Sequence, residues 1–213
     1  MLRASHRDRH RAAAGAGPLT PDAGASEAAL IERARAGDED AFEQIVVQHA
    51  ERVYGALRRF GLEPRDAEEV AQEVFLRAWR ALDRFEGRAQ LSTWLYRIAF
   101  NEAQRRLGGR DPATVAPAPG GEDPVAAIAD PPERGPAARA LDKEFEVVLA
   151  DALKQLPIQS RAAVVLRDLE GLSTKDAALA VGVREAAFKS RLHRGRMELR
   201  ALLEPYLGLE EDE

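Results

Sequence analysis

Residues 108–136 read GGRDPATVAPAPGGEDPVAAIADPPERGP, and a stretch of that composition sustains neither a helix nor a strand. Each Pro lacks an amide donor and fixes its own φ, and the apolar side chains are too small to offset the entropy of ordering the backbone. The chain is therefore expected to fold as two separate blocks, residues 27–107 and 141–204, joined by a flexible acidic linker over 108–140. Residues 1–26 are Ala, Gly, Pro and Arg-rich without periodicity and are expected to form a disordered N-terminal tail. Residues 205–213 form an acidic tail that ends in Glu210, Glu211, Asp212 and Glu213.

Both blocks carry the three-and-four spacing of buried helix faces. The first has Leu30, Ile31 and Ala34, then Phe42, Ile45 and Val46, then Val53, Leu57 and Phe60, and after a break Val70, Val74, Ala78 and Leu82 at steps of four. Ser26 caps the first helix, Gly37 and Asp38 break it, Gly61 ends the second, Asp66 is the candidate cap of the third, and Ser92 or Thr93 that of the fourth. The second block reads as four more helices. Pro157 opens the second of these and Gly171 closes it, Ser173 and Asp176 make a capping box, and Gly182 sits in a tight turn before the last helix. Period-two alternation is missing and aromatic content is only 6%. The expected fold is all-α: two small helical domains, the C-terminal one a helix-turn-helix.

Several function classes recede on composition. The chain has no Cys, so disulfides, thiolate catalysis and thiolate-bound zinc are out. No apolar run approaches the roughly 18 residues needed to span a bilayer, and the charged N-terminus lacks a signal peptide's apolar core; the chain is expected to be soluble and cytoplasmic, without membrane insertion. His6 and His10 have no third ligand nearby in sequence. The acidic run DAEEVAQE sets Asp66, Glu69 and Glu73 on one helical side without a His partner, so neither an enzyme site nor a metal site is expected. Trp79 and Trp94 stand at core-like spacings and are expected to pack rather than stack on bases.

The charge pattern is more telling than its sum. Formal net charge is −5, yet residues 184–200 hold six Arg or Lys against two Glu, a local net of +4. Such a patch is the footprint of a polyanion, since distant charges are screened within about 10 Å. On a helical wheel Phe188, Leu192, Gly195 and Leu199 face one way, whereas Lys189, Ser190, His193 and Arg194 fall together on another side. Lys and Arg pair with guanine acceptors or phosphates, and Ser and His reach either. A basic second helix after a Gly-containing turn is the arrangement whose second helix lies in the DNA major groove.

The residues LPIQSRAAVVLRDLEGLSTKDAALAVGVREAAFKSRLHRGRMELRALL and RDAEEVAQEVFLRAWRALDRFEGRAQLSTWLYRIAFNEAQRRL resemble the two conserved domains of bacterial RNA polymerase sigma factors of the minimal, extracytoplasmic-function type. The resemblance implies a protein that binds core RNA polymerase and directs promoter recognition, DNA melting and transcription initiation, with no catalysis, cofactor or small-molecule substrate of its own. It places minus-thirty-five contacts on Lys189, Ser190, His193 and Arg194, with Arg167 on the preceding helix. It places minus-ten contacts on Phe85, Arg88 and Asn101 as base pocket or neighbour. Arg97, Asn101, Gln104 and Arg105 share a polar face opposite Leu91, Leu95 and Ile98 that suits phosphates and exposed bases. It assigns polymerase binding to Glu69, Gln72, Glu73 and Arg77, and implies core RNA polymerase, promoter DNA and an anti-sigma protein as partners. In such factors the linker threads through the polymerase toward its active centre.

Departures from the family pattern are local. Ala186, Ala187 and Phe188 stand where Gly-Thr-Val is usual, which removes a hydroxyl near the DNA backbone. Ala177 and Ala180 replace bulkier aliphatics, and Phe188 is expected to fill the volume they vacate. Leu179, at a position often charged in the family, is a candidate apolar contact for a partner. The alternative on sequence grounds is a free-standing helix-turn-helix regulator that binds DNA without polymerase.

Overall fold

The computed structural model describes residues 26–108 and 136–207, with side chains of the second stretch from Phe145 to Tyr206. The expected N-terminal tail up to residue 25, the linker from 109 to 135 and the acidic residues from 208 onward lie outside the described residues, as do His6 and His10. Among the described residues every regular element is a helix. The first half holds α1 (Glu27–Arg35), α2 (Glu39–Arg59), α3 (Pro64–Ala81), a short 3-10 turn (Leu82–Arg84) and α4 (Leu91–Arg106). The second holds α5 (Pro136–Gln155), α6 (Ile158–Val164), a π-helical turn (Val165–Leu169), α7 (Thr174–Ala180) and α8 (Glu185–Leu207).

Local chemistry explains most boundaries. The Ser26 hydroxyl accepts from the Ala29 amide at 3.3 Å and the Asp38 carboxylate from the Ala41 amide at 3.1 Å. The Asp176 amide donates to Ser173 Oγ at 3.0 Å, and that hydroxyl donates to the Asp176 carboxylate at 2.6 Å, closing the box that starts α7. Four boundaries differ from expectation. Helix α3 starts at Pro64 with Glu63 at the N-cap, so Asp66 is not the cap but lies in the first turn; a Pro at N1 has no amide to satisfy and a preset φ. Helix α4 starts one residue after Gln90, and Thr93 is buried inside its first turn rather than capping it. Helix α5 begins at Pro136, inside the stretch assigned to the linker, where Pro again suits N1 and the Ala-rich sequence propagates the helix. Helix α8 continues through Pro205 to Leu207, past the expected start of the tail; Pro205 removes one hydrogen bond from a turn that already ends the helix.

The first half packs α2, α3 and α4 around Ile45, Leu57, Phe60, Val74, Leu95 and Phe100, all nearly inaccessible to solvent. Phe60 and Phe100 meet edge to face with centroids 5.7 Å apart. In the second half α8 crosses α6 so closely that a Cβ on Gly195 would stand 2.8 Å from both the Ser160 carbonyl oxygen and Val164 Cγ2. Phe188, Leu192, Ala177 and Ala180 share one buried cluster, with Phe188 fully inaccessible, which fits its expected role of filling space beside small residues.

Two stability outcomes are expected. Gly195→Ala meets a backbone carbonyl that cannot rotate away, so overpacking of about 1–3 kcal/mol outweighs the gain in helix propensity of roughly 1 kcal/mol; thermal unfolding should occur at lower temperature, and an unchanged midpoint would mean that α8 slides on α6 freely. Phe188→Ala should cost about 3–5 kcal/mol by denaturant titration, and a loss under 1 kcal/mol would remove its space-filling role.

Candidate nucleic-acid interface

The outward side of α8 carries Lys189, His193 and Arg194 as exposed residues with Ser190 half-buried between them. The Ser190 hydroxyl donates to the Ala186 carbonyl at 3.1 Å, and Arg194 Nε donates to the Ser190 carbonyl at 3.4 Å. These local bonds orient the two side chains along the helix. Not all the positive charge of this stretch faces out. Arg196 grips Asp168 through Nε at 3.0 Å and Nη2 at 2.8 Å, and Arg191 donates to Gln159, so these two tie α8 to the segment before α7. Arg167 stands apart from the α8 group, on the π-helical turn, half-buried and with Nε buried without a partner among the described residues.

The loop after the 3-10 turn and the start of α4 enclose a recess of about 270 Å³. Phe85, Arg88, Trp94 and Arg97 line it, as does Leu179 from α7. Phe85 is buried and packs on Trp94 with ring centroids 5.3 Å apart, so it forms a wall and is not a free stacking platform. Arg88 reaches Glu86 at 2.6 Å at the exposed rim. Asn101 lies outside the recess, exposed one turn beyond Arg97, with Gln104 half-buried and Arg105 on the same side. The structure thus brings together Phe85, Arg88 and Arg97, and strings Asn101, Gln104 and Arg105 along α4 away from them. Arg105 is committed in part, since it pairs with the buried Glu102, which Arg77 also meets at 3.0 Å.

A third surface runs along α2 and α3. Glu69 accepts from Arg106 at 3.0 Å and from Arg65 at 3.3 Å, Asp66 also pairs with Arg106, and Glu73 pairs with Arg77 at 2.7 Å. Asp66 and Glu69, two of the acids from the run read as carboxylate-rich, hold Arg106 near its charged form, chiefly through the Asp66 hydrogen bond. Beside them lies an apolar groove of about 590 Å³ walled by Phe42, Val46, Phe75, Leu76 and Trp79. Of the four predicted polymerase contacts only Gln72 lines it. Trp79 packs on Phe42 at 4.8 Å. Sequence reading overlooked this groove, although Phe75, Leu76 and Trp79 fall outside the Val70, Val74, Ala78 stripe and so mark a helix with a second apolar side.

Among the described residues no cluster of three or more His, Asp or Glu is arranged to hold a metal ion, and no helix is long and apolar enough to cross a membrane.

Comparison with known proteins sets these surfaces in a family. Sigma-70 region 2 matches residues 45–112 and Sigma-70 region 4 matches residues 146–199. The RNA polymerase sigma-H factor of Pseudomonas aeruginosa is 35% identical over 84% of this chain and 94% of its own length. The ECF RNA polymerase sigma-E factor of Haemophilus influenzae is 32% identical over 85% of this chain and 97% of its own. Among solved structures, CnrH in complex with the cytosolic domain of CnrY superposes with a TM-score of 0.60 at 29% identity, covering 83% of this chain and 96% of that one. With a region 2 surface on α2 to α4, a region 4 helix-turn-helix on α7 and α8, and relatives matched over nearly their whole length, the chain belongs to the sigma-70 family as an RNA polymerase sigma factor of the extracytoplasmic-function type.

Proposed function

We propose that this sigma factor divides its work among the three surfaces described. The α8 face of Lys189, Ser190, His193 and Arg194 reads the minus-thirty-five element as duplex, with Arg167 supporting it from the π-helical turn. The recess of Phe85, Arg88 and Arg97 receives an unpaired minus-ten base, and Asn101, Gln104 and Arg105 follow the strand along α4. Glu69, Gln72, Glu73 and Arg77, with the apolar groove beside them, meet core RNA polymerase. The observation that carries this reading is the pairing in one chain of an outward basic face on α8 with a base-sized, arginine-flanked recess on the other half.

The chemistry of each surface differs. Contacts from α8 are charge-assisted hydrogen bonds to base edges and phosphates and need no distortion of DNA. Holding an unpaired base requires recovering the few kcal/mol of unstacking, which an apolar wall with cations at the rim supplies. The chain itself makes or breaks no covalent bond; synthesis belongs to the polymerase, and the proposed place of action is the cytoplasm. An inhibitory protein partner fits the same reading, since CnrH, which this chain resembles, was solved bound to the cytosolic domain of CnrY.

Run-off transcription with core RNA polymerase on promoter fragments from the same genome should give defined transcripts only when the chain is added. Polymerase binding without transcripts would point to a missing activator, and no binding would favour a regulator that acts on DNA alone. Among variants, Lys189→Ala and Arg194→Ala should each weaken promoter binding. Loss of a base contact should cost about 1–3 kcal/mol and relax specificity at one position, whereas loss of a phosphate contact should lower the salt slope by about 1 on every sequence. Wild-type binding in both variants would remove the α8 assignment.

A further inference from the structure

Helix α4 carries the cations Arg97, Arg105 and Arg106 and a sole acid, Glu102. The three cations do not stand alike. Arg97 is exposed, lines the recess and has no carboxylate partner among the described residues. Arg106 is held by Asp66 and Glu69 of α3. Arg105 pairs with Oε2 of Glu102, whose Oε1 meets Arg77 of α3 at 3.0 Å. Glu102 itself is only 9% exposed. A carboxylate withdrawn this far from water is costly without partners, and one guanidinium on each oxygen supplies them. The two guanidinium groups depend on it unequally. Arg77 also has Glu73 at 2.7 Å and keeps a carboxylate whatever happens at Glu102. Arg105 has no second acidic partner among the described residues.

We propose that Glu102 is a positioning residue that withholds the charge of Arg105 from the DNA backbone, so that α4 holds an unpaired strand with fewer phosphate contacts than its cations allow. The inference rests on the reading of α4 as the path of that strand. Phosphate contacts carry no sequence information. A strand-binding side that used every cation on phosphates would grip single-stranded nucleic acid of any sequence. Along this edge Glu73, Arg77, Glu102 and Arg105 form a run of alternating charges that cancel, and Arg106 is spent on α3, which leaves Arg97 and the recess beside it to decide what is held. An exposed pair between two mobile side chains would yield easily to a phosphate. Here the acid is buried and fixed on the same helix as Arg105, so a phosphate that took Arg105 would leave a desolvated carboxylate with Arg77 alone.

The probe is a fluorescent oligothymidylate, a single strand that needs no promoter sequence, titrated with the full chain at several salt concentrations. Glu102→Gln keeps the size of the side chain and removes its charge. It should steepen the dependence of log affinity on log salt by about 0.7 and raise affinity about fivefold at about 0.1 M salt, the effect of one added phosphate contact on a single strand. The same substitution in an Arg105→Ala background should add nothing, whereas a general field effect of one lost negative charge would persist there at full size. A purely structural role for Glu102 would lower the unfolding midpoint and leave the salt slope alone. Arg105→Ala by itself, at an exposed position, tests the restraint even if Glu102→Gln does not fold: it should change the slope clearly less than Arg97→Ala, which should flatten it by about 0.7. The restraint is overturned by an Arg105→Ala loss equal to that of Arg97→Ala, by a folded Glu102→Gln chain that binds no more tightly than the unmodified one, or by a gain that survives in the double variant. Should Arg97→Ala and Arg105→Ala both bind as the unmodified chain does, the strand path along α4 falls and the restraint with it; should Arg97→Ala alone weaken binding, the path stands and Glu102→Gln decides the restraint.

Discussion

A guanidinium bonded only to carbonyls joins the helices of this protein. A buried cation is costly unless its donors are met; Arg161 meets carbonyls of Lys154, Leu156 and Phe60 with its two Nη nitrogens, while its Nε is buried without a partner among the described residues. Those oxygens close two helices, α5 and α2, where backbone carbonyls lack internal partners and the helix dipole is negative. One side chain thus caps a helix of its own half and a helix of the other. Burial pulls its pKa below the ordinary arginine value. Its cost and its gain are both tied to geometry, since one guanidinium serves both helix ends.

The same logic organises the charge around α8. Arg196 and Arg191 bond Asp168 and Gln159, so Lys189, His193 and Arg194 project from a helix braced on α6 and the π-helical turn. The frame is tight because Gly195 lets α8 touch the α6 backbone. A reading face set this way loses little entropy on meeting DNA, which matters for a module whose affinity comes from a handful of contacts. The surface along α2 and α3 has Asp66, Glu69 and Glu73 paired with Arg65, Arg77 and Arg106 beside its apolar groove. The faces proposed for DNA and for polymerase therefore differ in chemistry, and the net charge of −5 describes neither.

Sequence periodicity disclosed what depends on local spacing. The buried stripe of α8, the box at Ser173 and Asp176 and the cap at Ser26 follow from residues within a turn or two of each other, whereas Asp38, read only as part of a break, caps α2. The starts of α3 and α4 carry no such mark, because Glu63 and Gln90 stand at the N-caps without a side-chain hydrogen bond, while the cap-type residues Asp66 and Thr93 lie inside the first turns. The π-helical turn at Val165 to Leu169 left no signal in an apolar run that reads as plain helix. Arg161 did leave one: a lone cation inside IQSRAAVVL, on a helix that must be buried, needs a partner. Finding that partner at Phe60, about a hundred residues away, required the fold. Leu179 is of the same kind, its role set by neighbours that spacing cannot reveal.

Two weak modules on one chain bind jointly only when their separation matches the target, because tethering raises the effective concentration of the second module only if the first leaves it within reach. In this structure α8 presents its basic side outward, while Leu179 of α7 lines one side of the recess on the other half. The order of events is then constrained by energy as well as by access. Duplex contacts come first, being electrostatic and free of DNA distortion. Capture of an unpaired base must repay a few kcal/mol of unstacking and is of use only after strands separate.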